Sequence, residues 1–203
     1  GLIEAFRTGE DIHTRTAARV HGLLPGMVTP ALRAQAKVIN YGLVYGMGPS
    51  RLARETGMTP VEAVLDELRS ISTTEKEKGD RFEELMLHAF KTDRSFAKQF
   101  TDVWLWKDWP GRSTVDIGVD LVARAPDGGL IAIQCKCYDP QATLDKGEVD
   151  SFISESSKAH WVRRIIVSTT DRWSKHAEEA LEGHTIPIER LGVDHLDAMT
   201  VDW

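Results

Sequence analysis

The sequence predicts an α/β protein: a mixed β-sheet flanked by helices, preceded by a small all-helical segment. Three observations carry this. Two apolar runs, Val119–Ala123 and Leu130–Cys135, flank Ala125-Pro126-Asp127-Gly128-Gly129. Pro followed by Asp-Gly between apolar runs is turn chemistry, because Pro presets φ and Gly accepts φ > 0, so the stretch reads as a β-hairpin. Around it, strand-like runs alternate with helical segments after an opening helix, the pattern of a sheet covered by helices. Residues 1–60, by contrast, read as helices joined by a loop.

The 203 residues can hold one domain or two small ones, and a hydrophobic content of 41% is enough for a core. No apolar run reaches transmembrane length and the N-terminus lacks a signal-peptide pattern, so a cytoplasmic protein is expected, with no membrane partner. The two cysteines, Cys135 and Cys137, lie on one expected strand, too close for an ordinary disulfide, and no second cluster completes a zinc site; they are expected to be reduced. Charge divides unevenly. Residues 1–60 carry 7 Lys/Arg against 4 Asp/Glu, a net of +3, and residues 61–203 carry 18 against 27, a net of −9. The acidic part lacks the bulk charge of a domain that binds nucleic acid tightly by itself.

In chain order, Ile12, Thr16 and Val20 recur at four-residue spacing within a helix-like run. Leu23–Pro30 holds two prolines and a glycine and reads as a loop. In Ala31–Met47, Arg33, Lys37 and Tyr41 stand four apart and line one helix face. Two cations followed by an aromatic can grip phosphates and stack on a base, although the spacing alone favours an ordinary solvated face. Thr59-Pro60-Val61-Glu62 is a helix start, with Thr as N-cap, Pro at N1 and Glu at N3. The polar run Ser72–Lys78 reads as a surface linker. Asp80–Lys91 reads as a helix whose Phe82, Leu85, Met86, Ala89 and Phe90 form a core face, with Glu83 beside it near the helix start. Val103–Trp109 reads as a strand with an aromatic face followed by a loop. After the hairpin come a helix at Lys146–Lys158, a buried strand at Arg164–Thr169, a helix at Ser174–Leu181, and an edge strand at Thr185–Glu189, demoted to the edge by Pro187. A short helix closes the chain at Leu191–Met199. The histidines show no ligand spacing and are read as structural or surface residues.

The hairpin carries the chemistry. Folding it about Asp127 sets Asp120 opposite Gln134. Alternation puts Gln134 and Lys136 on one face and Ile131, Ile133 and Cys135 on the other. A carboxylate, an amide and an ammonium are thus expected on one side of a sheet, where oxygen donors can hold a divalent cation and a lysine can offset oxyanion charge. Asp116, four residues before Asp120, could add an acid or cap a loop.

G-V-D-L-V-A, a turn, and I-A-I-Q-C-K-C-Y resemble the Mrr-like branch of the PD-(D/E)XK nucleases, in which Gln commonly replaces the second acid. This resemblance covers about residues 61–203 and implies a restriction-endonuclease-like fold. It implies Asp120, Gln134, Lys136 and Glu83 as catalytic residues, the Glu83 position coming from the G-x2-F-E pattern. Asp120, Gln134 and the backbone carbonyl of Cys135 are the implied ligands of Mg²⁺ or Mn²⁺. Within that branch the chain is most similar to the nuclease of type ISP restriction proteins. These also carry a helicase-like ATPase and a methyltransferase, which implies double-stranded DNA as substrate, a translocase partner, and pairing of two copies for a double-strand break.

Residues 1–60 resemble the fingers of the bacterial family A DNA polymerases: R-x3-K-x3-Y-G-x2-Y-G follows F-R-T-G-E-D-I-H-T-R-T-A. The resemblance implies that Arg33 and Lys37 match positions contacting the incoming triphosphate and Tyr41 the aromatic packing on the nucleotide. The palm carboxylates are absent from this sequence, so the segment is expected to be a remnant or fusion without polymerase activity. The expected domains are therefore a fingers-like fragment at 1–60 and an endonuclease domain at 61–203. Two rival readings stand beside the nuclease: a metal-poor DNA-docking module, and a nucleotide-binding polymerase fragment to which the nuclease fold is incidental.

Overall fold

The computed structural model describes residues 11–44, 57–112, 118–157, 160–201 and 203, without the side chains of Val38 and residues 41–44. They form two compact units that divide between Thr73 and Thr74, with Trp203 grouped in the first. The expected boundary at residue 60 and this division thus differ by one helix.

In the first unit, α1 (Ile12–Val20) opens at Asp11, whose carboxylate accepts from the His13 N–H at 3.1 Å. It packs against α2 (Pro30–Val44), and the Thr16 hydroxyl donates to Asn40 Oδ1 at 2.9 Å. Between them, the expected loop contains a 3₁₀ turn at Pro25–Met27. Residues 45–47 of the expected helix lie outside the described residues. Helix α3 (Pro60–Ile71) begins with the reciprocal cap its sequence requires: Thr59 Oγ1 accepts from Glu62 N–H at 3.2 Å, and Glu62 Oε2 accepts from Thr59 N–H at 2.8 Å.

The second unit opens earlier than expected. Helix α4 spans Glu75–Thr92, so only Ser72–Thr74 of the polar run is linker. A first turn with no apolar face is held instead by its cap and side-chain pairs. Thr74 Oγ1 accepts from Glu77 N–H at 3.1 Å, and Lys76–Asp80 and Glu77–Arg81 pair one turn apart at 3.1 and 2.8 Å. Glu83 accordingly sits two turns into the helix rather than near its start. Phe82, Met86, Ala89 and Phe90 are buried and Leu85 is half-buried, as the periodicity predicts. Helix α5 (Phe96–Gln99) sets Phe96 edge-to-face against Phe90, 4.8 Å between ring centres.

The described strands make one five-stranded mixed sheet in the order β1 (Asp102–Leu105), β2 (Leu121–Arg124), β3 (Leu130–Lys136), β4 (Trp161–Ser168), β5 (Ile188–Leu191). The first three are antiparallel, and β4 and β5 run parallel to β3. The hairpin turn forms as read: Gly128 N–H donates to Ala125 C=O at 2.9 Å, and Arg124 pairs Leu130, so the fold line falls on Asp127. Helix α4 packs on β1 and β3. A second cluster gathers Val119, Val122, Ala132, Val149, Phe152, Trp161 and Ile166 with α6 (Asp150–Ser156) and α7 (Lys175–Ala180). Trp104, Trp106 and Trp109 pack against it, so the tryptophan run is structural, as favoured from the sequence.

Three expected elements shift. The helix at Lys146–Lys158 is a 3₁₀ turn at Lys146–Glu148 followed by α6. The buried strand begins three residues early at Trp161. β5 starts only after Pro187, because the ring nitrogen cannot donate to the ladder, and it is the edge strand expected. Helix α8 (Val193–Asp197) is followed by Thr200, whose N–H and hydroxyl donate to buried Asp93 at 2.7 and 3.0 Å, tying this segment to the end of α4.

Gly118 holds the approach to β2 at φ +71°, where an added Cβ would lie 2.9 Å from Ser151 Oγ and 3.3 Å from Phe152 N at the start of α6. Gly118→Ala is expected to cost about 1–2 kcal/mol from the left-handed backbone alone, read as a lowered urea midpoint.

Candidate active site

Asp120 stands one step beyond the last paired residue of β2. Leu121 pairs Ile133, so Asp120 falls opposite Gln134. Its backbone continues the ladder, with Asp120 N–H donating to Ile133 C=O at 2.9 Å and Trp106 N–H donating to Asp120 C=O at 2.7 Å. Its carboxylate turns across the seam: Oδ2 accepts from the Cys135 N–H at 2.7 Å. One residue of β3 is thereby fixed directly to the acid of β2.

Glu83 reaches this position from α4. Its carboxyl is pushed up to about 7, first by burial, then by the negative charge of Asp120 and that of Asp80, against the opposing pull of Lys107 and Lys76. Two carboxylates brought into one partly dehydrated place repel each other, and a cation between them would relieve that. Glu84, by contrast, is exposed.

Gln134 is 3% exposed. Its Nε2 donates to Gly118 C=O at 3.2 Å, while its Oε1 is buried with no hydrogen-bond partner among the described residues. A buried acceptor without a donor is costly, and it suits an oxygen meant for a cation or a bound water. Lys136, two residues on, has a side chain 19% exposed, with Nζ 3.9 Å from Glu148 Oε2. Cys135 is buried, and its thiol is pushed well up, first by burial and then by Asp120 and Glu83, with Lys136 opposing. The thiol is thus surrounded by the same charges that define the site. Neither cysteine forms a disulfide, as expected.

The sequence placed Gln134 on a site-facing side of β3 and the aliphatic residues opposite. The structure keeps the alternation but buries both faces from Ile131 to Cys135, because helices cover each side of this central strand. Tyr138, Glu148, Gly118 and Lys107 were not found by sequence reasoning. Tyr138 had a signal, sharing the strand parity of Lys136; Glu148, in the acid-rich turn D-K-G-E-V-D, had none. Asp116 lies outside the described residues.

Among the described residues no three His, Cys, Asp or Glu side chains are arranged to hold a metal. The donor set on offer is two carboxylates and one amide oxygen, which fits a hard cation such as Mg²⁺ that retains several waters.

In the first unit, Arg33 and Lys37 lie on the exposed face of α2. Arg33 is paired with Asp11, Nε to Oδ2 at 2.5 Å and Nη2 to Oδ1 at 3.2 Å, and the guanidinium holds the Asp11 carboxyl well below the usual range. The side chain of Tyr41 lies outside the described residues.

A mixed sheet with an acid entering the second strand and Q-x-K leaving the third defines the restriction-endonuclease class of nuclease fold. Residues 91–203 match the restriction endonuclease family, over half of the chain, and the protein belongs to it. The ATP-dependent type ISP restriction-modification enzyme LlaBIII, solved bound to DNA, superposes with a TM-score of 0.56 at 32% identity, covering 68% of this chain and 9% of that one. Residues 1–66 match DNA polymerase family A. The thermostable DNA polymerase I of Thermus filiformis is 48% identical over 62 residues, 30% of this chain and 7% of the polymerase. The DNA polymerase I of Bacillus subtilis (strain 168) is 47% identical over 62 residues, with the same shares of each chain covered. The chain therefore spans less than a tenth of each of these relatives. No described helix is long and apolar enough to cross a membrane.

Because the Glu83 carboxyl titrates near 7 when folded and near 4.5 when unfolded, the folded state binds the extra proton in that window. Stability associated with this group is present below about 4.5 and lost as pH rises through about 7. Glu83→Gln is therefore expected to be more stable than the parent in chelator at pH 8, with the gain vanishing towards pH 5; urea midpoints at the two pH values check this.

Proposed function

We propose that residues 61–203 act as a metal-dependent endonuclease that hydrolyses DNA phosphodiester bonds, and that residues 1–60 are a fingers-like fragment without polymerase activity. The observation that carries the reading is geometric: the β2–β3 register sets Asp120 opposite Gln134, the Asp120 carboxylate accepts from the Cys135 N–H, and Gln134 Oε1 is buried without a partner among the described residues. Asp120, the Gln134 amide oxygen and the Cys135 carbonyl would hold Mg²⁺ or Mn²⁺, with Glu83 joined through water. Bound there, the cation would supply Lewis-acid stabilisation of phosphate charge and a more acidic water. Lys136 would set its ammonium against a non-bridging oxygen of the scissile phosphate as negative charge develops. Glu83 would orient the attacking water, and its raised proton affinity suits it to take a proton near neutrality. Water oxygen then bonds to phosphorus as the P–O bond to the leaving strand breaks.

The substrate in this reading is double-stranded DNA, and the net charge of −9 over residues 61–203 argues that affinity comes from elsewhere. A helicase or translocase partner, with a methyltransferase in the same system, would supply a high local concentration of DNA. One site cuts one strand, so a double-strand break would need two copies. A second reading, DNA docking without cleavage, draws on the neutral Gln134 and on the lack, among described residues, of a third acid at the site.

Asp120→Ala and Lys136→Ala are each expected to reduce plasmid cleavage by at least ~10²-fold while leaving the circular dichroism spectrum unchanged; parental rates in either would refute the assignment. Gln134→Glu replaces a neutral oxygen with a charged one and is expected to tighten Mg²⁺ binding in calorimetry. Unchanged or weaker affinity would remove position 134 from the cation site and leave the docking reading.

A further inference from the structure

Lysine is a poor instrument for placing charge: its ammonium rides on a flexible four-carbon stem and forms no fixed fork with a phosphate. A lysine that acts on one phosphate oxygen gains from something that restricts it. Beyond Lys136 the chain runs on past the end of β3 to Tyr138, and this extension is fastened to Thr169, just beyond β4. Thr169 N–H donates to Lys136 C=O at 3.0 Å, Tyr138 N–H donates to Thr169 Oγ1 at 2.8 Å, and that hydroxyl donates back to Tyr138 C=O at 2.7 Å. On this fixed platform the Tyr138 hydroxyl donates to Glu148 Oε2, the same oxygen that lies 3.9 Å from Lys136 Nζ. Glu148 ends a 3₁₀ turn at Lys146–Glu148, and its carboxylate is held by the Tyr138 hydroxyl. A carboxylate fixed by a tyrosine and facing an ammonium from just beyond hydrogen-bond distance confines that ammonium without neutralising it in a tight pair.

Resting on the nuclease reading, we propose that Glu148, braced by the Tyr138 hydroxyl, is a positioning residue that holds the Lys136 ammonium for the scissile phosphate. Glu148 touches neither the cation nor the substrate in this assignment, and its influence passes through Lys136 alone. Loss of the tether should therefore lower kcat and leave KM for DNA unchanged, since a displaced group is lost to the transition state and not to docking.

Two measurements on the whole chain test this. Plasmid cleavage is compared for the parent, Glu148→Gln, Tyr138→Phe, Glu148→Asp and Lys136→Ala, with Glu148→Gln also combined with Lys136→Ala. Glu148→Gln should lower kcat by roughly 10- to 100-fold, the scale of a misplaced group, with Tyr138→Phe smaller in the same direction and Glu148→Asp partly restoring the rate. In the Lys136→Ala background Glu148→Gln should add nothing. A parental kcat for Glu148→Gln, or an undiminished loss in the Lys136→Ala background, overturns the proposal. Crystal structures of the parent and Glu148→Gln give a readout independent of cleavage. Nζ of Lys136 should leave its parental position in the variant, and an unmoved, well-ordered Nζ overturns the proposal. If the parent cuts no DNA while Nζ still moves, the nuclease reading falls and the tether stands.

Discussion

The proposed site depends on the register of one strand pair. Leu121 opposite Ile133 puts Asp120 opposite Gln134, and a shift of one residue would carry Gln134 and Lys136 to the other face of β3. Three features hold that register. The turn is set by Pro126, Asp127 and Gly128; the Asp120 N–H extends the ladder to Ile133 C=O; and the Asp120 carboxylate accepts the Cys135 N–H. The last of these binds function to fold, because the acid offered to a cation also closes the seam between the strands. Gly118 serves the same end, giving its carbonyl to Gln134 and leaving room for the start of α6.

Against this rigid seam the site carries a local electrostatic cost. Glu83 sits between the core residues Phe82 and Met86 of α4, and burial, then the charge of Asp120, raises its carboxyl. The buried oxygen of Gln134, without a partner among the described residues, adds a second unfavourable feature. Trp161 Nε1 and Arg164 Nε on β4 are likewise buried without a partner among the described residues, so what distinguishes this place is the raised Glu83 carboxyl under the influence of the Asp120 charge.

Much of this was legible in the sequence. The hairpin and its fold line followed from Pro-Asp-Gly between apolar runs, the α3 start from Thr59 and Glu62, and the family from G-V-D-L-V-A and I-Q-C-K-C-Y. What was not legible has identifiable causes. The first turn of α4 is polar on every side, so periodicity could not find it, and its stability comes from Thr74 and paired charges. The burial of both faces of β3 depends on helices far along the chain. The contact between Glu148 and Tyr138 joins residues ten apart through a loop, a juxtaposition that no local spacing announces. The division between the compact units falls after α3 although the capping box marks the start of that helix, because a cap fixes where a helix begins and not which neighbours bury it.

The central claim is that Asp120 and Glu83 share a cation. Titration of the intact chain with Mn²⁺, following the unbound ion by electron paramagnetic resonance, tests it most directly. The account predicts saturable binding in the parent that is lost in Asp120→Asn and weakened in Glu83→Gln. Binding of equal affinity in all three, or no saturable binding in the parent, would contradict it.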